Sequence, residues 1–329
     1  MNLNEPGMLT SLFRSLWQWG SFVKFSHTIF ALPFALASTA LAARATSGWP
    51  GWRVFGLILV AMVGGRTCAM AFNRIIDRRY DALNPRTAGR HLPRGVISLS
   101  SAWLLCGLSA ATLVAASWAL NPLCFWLSPV ALFLVCFYSL TKRFTDFTQV
   151  WLGLALAVAP VGAWLAVKGS LVFWPESLNQ LTRSTGAPSW LAGSAYVPLA
   201  LAAAVMLWLI GFDLIYATQD YEFDRRQGLR SLVTRWGPEN ALAVAFLAHL
   251  FTWGWFVVVG VLSGFRLAYW IGLVLILALL LMEHTLARRR TPEAINIAFF
   301  KLNATISLTY LVVVLCEILF PWFRLRVYR

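Results

Sequence analysis

Residues 54–81 read VFGLILVAMVGGRTCAMAFNRIIDRRYD, an apolar run that ends in an acidic motif. The run over 54–76 is long enough to cross a bilayer as a helix, since about 20 predominantly apolar residues suffice. Toward its end, Asn73, Asp77 and Asp81 recur at every fourth position. On a helix that spacing stacks their side chains on one face. The stretch therefore predicts a membrane-spanning helix that carries a row of oxygen donors at one end.

The composition also places the chain in a membrane. Of its 329 residues, 59% are hydrophobic and only 12% are charged, whereas soluble domains carry roughly 25% charged residues. The net charge is +14, from 27 Lys and Arg against 13 Asp and Glu. The basic residues lie mainly between apolar runs, where they act as topology signals and could attract anionic lipid or a diphosphate. No basic soluble domain stands out, so we expect a lipid bilayer as partner and no nucleic acid.

Nine apolar segments are long enough to cross a bilayer by the same measure. They predict an all-α fold: an integral membrane bundle of about nine transmembrane helices that forms a single domain over residues 1–329. The segments cover residues 22–43, 54–76, 102–120, 122–140, 150–167, 197–217, 241–262, 267–286 and 306–320.

Basic residues alternate from one connection to the next. The connections after the second, fourth, sixth and eighth segments hold Arg78, Arg79, Arg86, Arg90, Arg94, Lys142, Arg143, Arg225, Arg226, Arg230, Arg235, Arg288, Arg289, Arg290 and Lys301. Because cytoplasmic loops are enriched in Lys and Arg, we expect a multi-pass protein of the inner (plasma) membrane with these connections in the cytoplasm. Nine crossings then place the C-terminus outside, although it carries Arg324, Arg326 and Arg329. Either the helix count is wrong by one or those arginines are a tolerated exception.

A second acidic cluster, Asp220-Tyr-Glu-Phe-Asp224, follows the sixth segment. Its two aspartates are again four residues apart, and Glu222 faces elsewhere if the cluster is helical. Asp213 lies deeper in the sixth segment, and carboxylates inside membrane segments are functional candidates. One such cluster alone is typical of a solvated helix end. Two acidic clusters on the same membrane face repel each other unless cations compensate their negative charge.

Oxygen donors gathered at one mouth suit Mg²⁺, which prefers one or two carboxylates together with phosphate oxygens and water. The sequence therefore predicts a Mg²⁺ site, with the carboxylates as catalytic residues. The expected ligands are Asn73, Asp77, Asp81, Asp220 and Asp224.

Cationic side chains accompany the acids. Arg66 precedes Asn73 by two helical turns on the same face. It is interpreted either as half of a buried ion pair with Asp213 or as a ligand for a diphosphate or an acceptor carboxylate. Lys142 and Arg143 end the fourth segment, where they serve as membrane anchors or as a clamp that offsets charge on a leaving group.

Further polar and aromatic side chains lie close to these clusters in sequence. Tyr138 is either an interfacial aromatic anchor or a ring that stabilises an allylic cation. Lys24 is available to bind a carboxylate, and His27 is either a satisfied polar group of the bundle or a contact to the acceptor. His249 and His284 are interpreted as structural.

These motifs resemble those of the UbiA superfamily of membrane prenyltransferases. Residues 73–95 (NRIIDRRYDALNPRTAGRHLPRG) are similar to the first acidic motif and following loop of that family. Residues 216–231 (YATQDYEFDRRQGLRS) resemble its second motif, and 138–145 (YSLTKRFT) resemble the segment after its fourth helix. The opening 24–34 (KFSHTIFALPF) resembles the 4-hydroxybenzoate polyprenyltransferase-like branch. One departure is Arg74, where some members carry an acid.

The resemblance covers essentially the whole chain. It implies a nine-helix bundle around a central cavity that is open sideways to lipid and capped by the motif loops. It also implies Mg²⁺-dependent transfer of a polyprenyl group from a polyprenyl diphosphate to a small aromatic acceptor, first of all 4-hydroxybenzoate, in ubiquinone or menaquinone synthesis. Lys142, Arg143 and Arg86 would offset diphosphate charge, and Arg66 or Lys24 would bind the acceptor carboxylate.

A different class of protein, a secondary transporter, competes with this interpretation. It would explain Asp213 and Arg66, because ionisable residues inside a membrane often mark ion pathways. It explains less well why the acids lie in spaced pairs at one face, since transporter sites usually lie near the midplane of inverted repeats.

Overall fold

The structure, a computed structural model, describes residues 17–170 and 196–320, except for the side chains of residues 25–27 and 45. Within these ranges every regular element is helical. The long helices are α1 (Leu32–Ala42), α2 (Trp52–Leu83), α3 (Leu99–Leu120), α4 (Pro122–Thr141), α5 (Thr148–Lys168), α6 (Tyr196–Ala217), α7 (Leu232–Ser263), α8 (Leu267–Ala287) and α9 (Asn303–Leu319).

Eight helical stretches of the described residues are long and apolar enough to cross a membrane, and a shorter apolar helix contains α1. The all-α membrane bundle of about nine helices is therefore confirmed. The predicted third to sixth and eighth segments agree with α3 to α6 and α8 to within a few residues. Arg324, Arg326 and Arg329 lie outside the described residues.

The first helix is shorter than the predicted segment 22–43. A 3₁₀ turn, Phe25–Phe30, precedes α1, which has 11 residues and carries Pro33 in its first turn. α1 packs between α5 and α9, and nearly all of its side chains are buried. Because protein rather than lipid surrounds it, the chain can leave the regular α-helical path here without exposing its backbone to hydrocarbon.

The second helix is longer than predicted. α2 contains 32 residues and is therefore about 48 Å long, whereas the hydrocarbon core of a bilayer is about 30 Å thick. The helix continues beyond residue 76, where the predicted segment ends, and so carries Asp77 and Asp81 on regular helical backbone.

The seventh and ninth helices begin earlier than predicted. α7 starts at residue 232 and is kinked at Gly237 (φ 79°, ψ 162°), just before Pro238, so the apolar pattern became regular only at 241. A helix at Pro292–Asn296 leads through a π-helical turn, Ile297–Leu302, into α9. Lys301, expected in a loop, lies within that turn.

The packing of the helices produces two halves that share α1 and α5. α2 packs against α3 and α4, while α6 packs against α7 and α5, and α8 packs against α9. The largest hydrophobic core lies in the second half, around the buried rings of Trp208, Phe256, Tyr269 and Tyr310. The ends of α2 and α6 that carry the acidic motifs face each other across the space between the halves.

Candidate functional site

Both acidic motifs line one cavity of about 260 Å³. Twelve of the thirteen predicted site residues contribute to its wall: Lys24, Arg66, Asn73, Asp77, Asp81, Arg86, Tyr138, Lys142, Arg143, Asp213, Asp220 and Asp224. The side chain of His27 lies outside the described residues. The structure thus brings together groups that are as much as 200 residues apart in the chain.

The first motif reaches the cavity from the last turns of α2. The Asn73 amide donates to Oδ2 of Asp77 at 2.9 Å, and Nη2 of Arg143 donates to Oδ1 of Asp77 at 3.1 Å. Asp81 is buried and accepts from Nη1 of Arg90 at 2.6 Å, while Nη1 of Arg74 lies 4.0 Å from its other oxygen. Arg74, the departure from the family motif, therefore balances the charge of an acid in its own helix.

The second motif changes backbone geometry as it reaches the cavity. α6 passes through a 3₁₀ turn, Thr218–Asp220, into a short helix, Tyr221–Arg226. Asp220 and Asp224 are both buried, whereas Glu222 between them is exposed, as predicted from the spacing. The two aspartates therefore face the cavity while the third acid faces away.

Groups from other parts of the chain hold the second motif in place. Arg86 donates from both Nε and Nη2 to the two oxygens of Asp220, with Nε 2.9 Å from Oδ1. The Asn84 amide donates to the same Oδ1 at 3.0 Å. Lys142 Nζ lies 3.4 Å from Oδ2 of Asp224. The loop that follows the first motif thus clamps the second motif.

These contacts keep the cations of the cavity mouth charged. Burial opposes the charge on Lys142, but Asp224, Asp213, Asp220 and Asp77 together outweigh that effect and raise the pKa of Lys142. Burial likewise opposes the charge on Arg86, but the bonds to Asp220 and Tyr216 raise its pKa. Both side chains are therefore positive at neutral pH and available to balance a diphosphate.

Lys24 differs from the other cations. It adopts a left-handed backbone conformation (φ 47°) where the chain enters the first 3₁₀ turn. Burial, and then the charges of Arg74, Arg90, Arg86 and Arg66, lower the pKa of Lys24 to about 7. This amine therefore changes its charge within the physiological range.

Arg66 lies in the middle of α2 and lines the cavity. Its Nε is buried without a hydrogen-bond partner among the described residues. The described ion pairs do not include one between Arg66 and Asp213, while Asp213 lies close enough to Lys142 to influence its charge. A buried guanidinium with an unused donor is suited to bind an anion that enters the cavity.

Aromatic rings form another wall of the cavity. The ring centroid of Phe299 lies 4.2 Å from that of Tyr216, and 5.4 Å from those of Phe30 and Phe212. All four side chains line the cavity, together with leucines of α5 and α6. This wall offers an apolar and aromatic surface beside the charged mouth.

The oxygen donors of the cavity fit Mg²⁺ if phosphate oxygens complete its coordination. The four aspartates of the two motifs and Asn73 face one space, and Oδ2 of Asp81 has no hydrogen-bond donor among the described residues. In that part of the chain, however, no three acidic, histidine or cysteine side chains converge closely enough to hold a metal ion. The set therefore fits an ion that completes its coordination with phosphate oxygens, as Mg²⁺ commonly does.

Several residues of the site were not predicted. Asn84, Arg74 and Arg90 bind the acidic motifs, but in the sequence the arginines look like topology signals. Tyr216 accepts a hydrogen bond from Nη1 of Arg86 at 2.6 Å. Phe299 cannot be distinguished in the sequence from an aromatic residue that faces lipid. The signal that could have found them is that four of the five, all but Phe299, lie within residues 73–95 or 216–231, the stretches that resemble the family motifs.

Known proteins are similar to this chain over most of its length. The model of the UbiA prenyltransferase family matches residues 31–305. A relative from Tolumonas auensis, named 4-hydroxybenzoate octaprenyltransferase, is 30% identical over 262 residues, which cover 79% of this chain and 82% of the relative.

Solved structures share the fold. A UbiA homolog from Aeropyrum pernix K1 superposes with a TM-score of 0.73 at 31% identity, over 88% of this chain and 98% of the homolog. A UbiA homolog from Archaeoglobus fulgidus, solved with GPP and Mg²⁺, has a TM-score of 0.63 at 21% identity, over 90% of this chain and 99% of the homolog.

Proposed function

This chain belongs to the UbiA prenyltransferase family and is a membrane prenyltransferase, and we propose that it transfers a polyprenyl group from its diphosphate to 4-hydroxybenzoate or a related aromatic acid with the help of Mg²⁺. The observation that carries the proposal is the shared cavity, in which two aspartate pairs and their basic partners adjoin an aromatic wall. Membership of an enzyme family sets aside the transporter interpretation of Asp213 and Arg66.

The charged mouth is the proposed binding site of the diphosphate. Asn73, Asp77, Asp81, Asp220 and Asp224 would hold Mg²⁺ together with the diphosphate oxygens. Mg²⁺ when bound supplies a Lewis acid that stabilises the leaving diphosphate. Three cations already pair with the aspartates: Lys142, Arg143 and Arg86. Their positive charge would also stabilise the diphosphate oxygens as the allylic C–O bond ionises.

The remainder of the cavity would protect the allylic cation. Tyr138 lines the cavity next to the first motif and can face the cation with its ring. Phe299, Phe212 and Phe30 add an apolar wall that keeps water from the reactive carbon. The prenyl tail would then follow the leucine-lined side of the cavity toward lipid.

The acceptor would be oriented by its carboxylate. Arg66 has an unused donor inside the cavity, and Lys24 adds a second cation on the same wall. These groups would bind the carboxylate and leave the electron-rich ring carbon beside the prenyl group. His27 remains a predicted acceptor contact.

We further propose that the cavity mouth faces the cytoplasm of a cell whose inner (plasma) membrane holds the protein, and that the product enters ubiquinone or menaquinone synthesis. The basic connections support this orientation, because cytoplasmic loops are rich in Lys and Arg. Single cysteines introduced at Gly228 and Ser47, on opposite sides in this orientation, test it with a membrane-impermeant maleimide on intact cells. Labelling at Gly228 rather than at Ser47 would contradict it.

The reaction is tested with purified protein in detergent, supplied with geranyl diphosphate, Mg²⁺ and 4-hydroxybenzoate. Mass spectrometry should find a prenylated hydroxybenzoate that disappears when EDTA is added. Diphosphate release without that product keeps the prenyltransferase but requires a different acceptor. If folded protein yields neither product nor diphosphate, with longer donors also supplied, the proposed reaction is wrong.

A further inference from the structure

A second group of buried polar side chains lies outside the cavity, between α7, α8 and α9. Nδ1 of His249 lies 2.9 Å from Nε2 of His284, and 3.7 Å from Oε2 of Glu283. The other oxygen of Glu283 accepts from the amide of Asn303 at 2.8 Å. Glu283 and Asn303 are fully buried. Burying an acid and an amide costs free energy unless each is well bonded, so this polar network needs an explanation.

Hydrogen-bond accounting assigns the protons of the network. Nε2 of His249 lies 3.1 Å from the Trp208 carbonyl oxygen, which can only accept, so this nitrogen carries a proton. In the neutral ring Nδ1 is then an acceptor, and it receives the proton on Nε2 of His284. Oε2 of Glu283 lies 3.7 Å from the same Nδ1, too far for a hydrogen bond, and has no hydrogen-bond partner in the described part of the chain. Because the Nδ1 lone pair already accepts from His284, it is the Asn303 amide that holds the Glu283 side chain by a hydrogen bond.

The fold makes room for this network beside the cavity. A Cβ on Gly211 would lie 2.2 Å from Cδ2 of His249, so only glycine permits the histidine to reach α6 at this point. The next residue, Phe212, belongs to the aromatic wall. The network therefore joins α7 and α8 to the part of α6 that lines the site.

Asn303 connects the network to the π-helical turn. The amide nitrogen that donates to Glu283 also lies 3.0 and 3.2 Å from the carbonyl oxygens of Ala298 and Phe299, which share its second hydrogen. Turns of this type widen the helix, interrupt its regular bonding and are frequent at functional sites. The Asn303 side chain supplies donors to this turn, and Glu283 fixes the orientation of the amide.

The turn acts directly on the charged mouth through two rings. Phe299 packs on Tyr216 with ring centroids 4.2 Å apart. The Tyr216 hydroxyl accepts from Arg86, whose guanidinium also lies 5.0 Å from the Tyr216 ring centroid. Arg86 in turn holds Asp220. A continuous set of contacts thus runs from Glu283 to the second acidic motif.

We propose that Asn303 and Glu283 are positioning residues for prenyl transfer: they hold the π-helical turn so that Phe299 supports Tyr216 and thereby the Arg86–Asp220 pair. The effect on turnover rests on the proposed function, whereas the effect on the turn does not. A merely structural role would alter stability without selectively changing the handling of the diphosphate.

The first experiment measures hydrogen exchange of the intact protein in detergent. Asn303→Ala should speed exchange of the amides in 297–302 by roughly tenfold, as expected for the loss of one buried hydrogen bond. Thr252→Ala is the matched control, because its buried hydroxyl bonds only to the Ala248 carbonyl within α7. Unchanged exchange over 297–302 in Asn303→Ala, or equal acceleration in both variants, overturns the proposal.

The second experiment separates positioning from stability by kinetics. Asn303→Ala should raise the KM for geranyl diphosphate and lower kcat, each by roughly tenfold, while the KM for the acceptor stays within about twofold. Thr252→Ala should leave all three constants near their wild-type values. Equal changes in both KM values, or none, would contradict positioning through Arg86 and Asp220.

A conservative variant tests the role assigned to Glu283. Glu283→Gln keeps a carbonyl oxygen as the acceptor for Asn303, so turnover should stay within about threefold of wild type. Glu283→Leu removes that acceptor and should behave like Asn303→Ala. Equal damage from both variants overturns the assignment. If wild-type protein makes no prenylated product while the exchange result holds, the proposed function fails and the control of the turn stands.

Discussion

The two acidic motifs meet at one cavity but are supported in different ways. Asp81 pairs with Arg90, only nine residues later in the chain. Asp220 is clamped by Arg86, which lies 134 residues earlier. The first motif is thus held by its own helix and loop and by Arg143 just after α4, whereas the second depends on the loop after the first motif for its position. Changes elsewhere in the molecule should therefore disturb the second motif more than the first.

The backbone of the second motif is also less regular than that of the first. The first motif lies on uninterrupted helix in α2, so its spacing alone orients Asp77 and Asp81. The second motif follows a 3₁₀ turn and sits on a helix of six residues, Tyr221–Arg226. Helices this short are marginal without tertiary contacts, so the partners of Asp220 contribute to the shape of the motif as well as to its charge.

The largest effect is expected from removing an aspartate of either motif. Asp77→Ala and Asp220→Ala should each lower kcat by about 100-fold or more, because each would remove a proposed ligand of the Mg²⁺ that stabilises the departing diphosphate. Product formation at saturating geranyl diphosphate and Mg²⁺ measures the loss, with retention on size-exclusion chromatography as the control for folding. Near-normal activity in both variants would falsify the assignment of the motifs to the diphosphate.

Removing the arginine partner of one aspartate in each motif tests whether the second motif depends more on such partners than the first. Arg86→Gln should lower kcat/KM for the prenyl diphosphate by roughly 10- to 100-fold, since a buried carboxylate loses a bidentate partner. Arg90→Gln should cost only several-fold, because Arg74 still lies near Asp81. Kinetics with varied geranyl diphosphate at saturating acceptor distinguish the two.

Replacing Arg86 by lysine separates the effect of its charge from that of its planar guanidinium. Arg86→Lys retains the charge but not the planar fork, so it should recover only part of the loss. Full recovery would show that Arg86 acts by charge alone and that the clamp on Asp220 is not required. A larger loss from Arg90→Gln than from Arg86→Gln would reverse the order of dependence between the motifs.

The pH dependence of acceptor use should be smaller and traceable to Lys24. The pKa of this amine is lowered to about 7 by burial and by neighbouring arginines. Below that pH the amine is charged and would bind the acceptor carboxylate; above that pH the charge is lost. We therefore expect kcat/KM for 4-hydroxybenzoate to fall by about fivefold from pH 7 to pH 8, as the charged fraction of Lys24 falls.

Two variants check the origin of this profile. Lys24→Arg should keep kcat/KM for the acceptor nearly constant over the same pH interval, because a guanidinium does not lose its proton there. Lys24→Gln should give a low and flat profile. A rise in wild-type kcat/KM with pH would show instead that neutral Lys24 accepts a proton, and it would remove Lys24 from acceptor binding.

Local patterns in the sequence were sufficient to predict the framework of this site. Apolar length predicted most of the helices, and the four-residue spacing predicted which acids face the cavity. Both signals depend on neighbours in the chain. The paired motifs, together with the basic residues, therefore predicted which charged groups meet at the mouth of the cavity.

Contacts that depend on packing could not be predicted. Nothing local distinguishes Arg86, which clamps Asp220, from the other arginines of the basic connections. Lys301 and Asn303 interrupted the apolar pattern, so the start of the ninth segment was placed too late, and the π-helical turn Ile297–Leu302 was missed. The position of Phe299 follows from that turn and not from its own type.

The smallest effects are expected at residues that lie within the motifs but face away from the cavity. Arg79 in the first motif and Glu222 in the second are both exposed and are screened by solvent. Arg79→Gln and Glu222→Gln should each leave kcat and both KM values within about twofold of wild type, because surface substitutions seldom change stability by more than about 0.5 kcal/mol. If Glu222→Gln instead cost tenfold while Arg79→Gln remained silent, the short helix of the second motif would have to turn during catalysis. The second motif would then use three carboxylates where the first uses two, and its dependence on Arg86 would reflect movement rather than a fixed clamp.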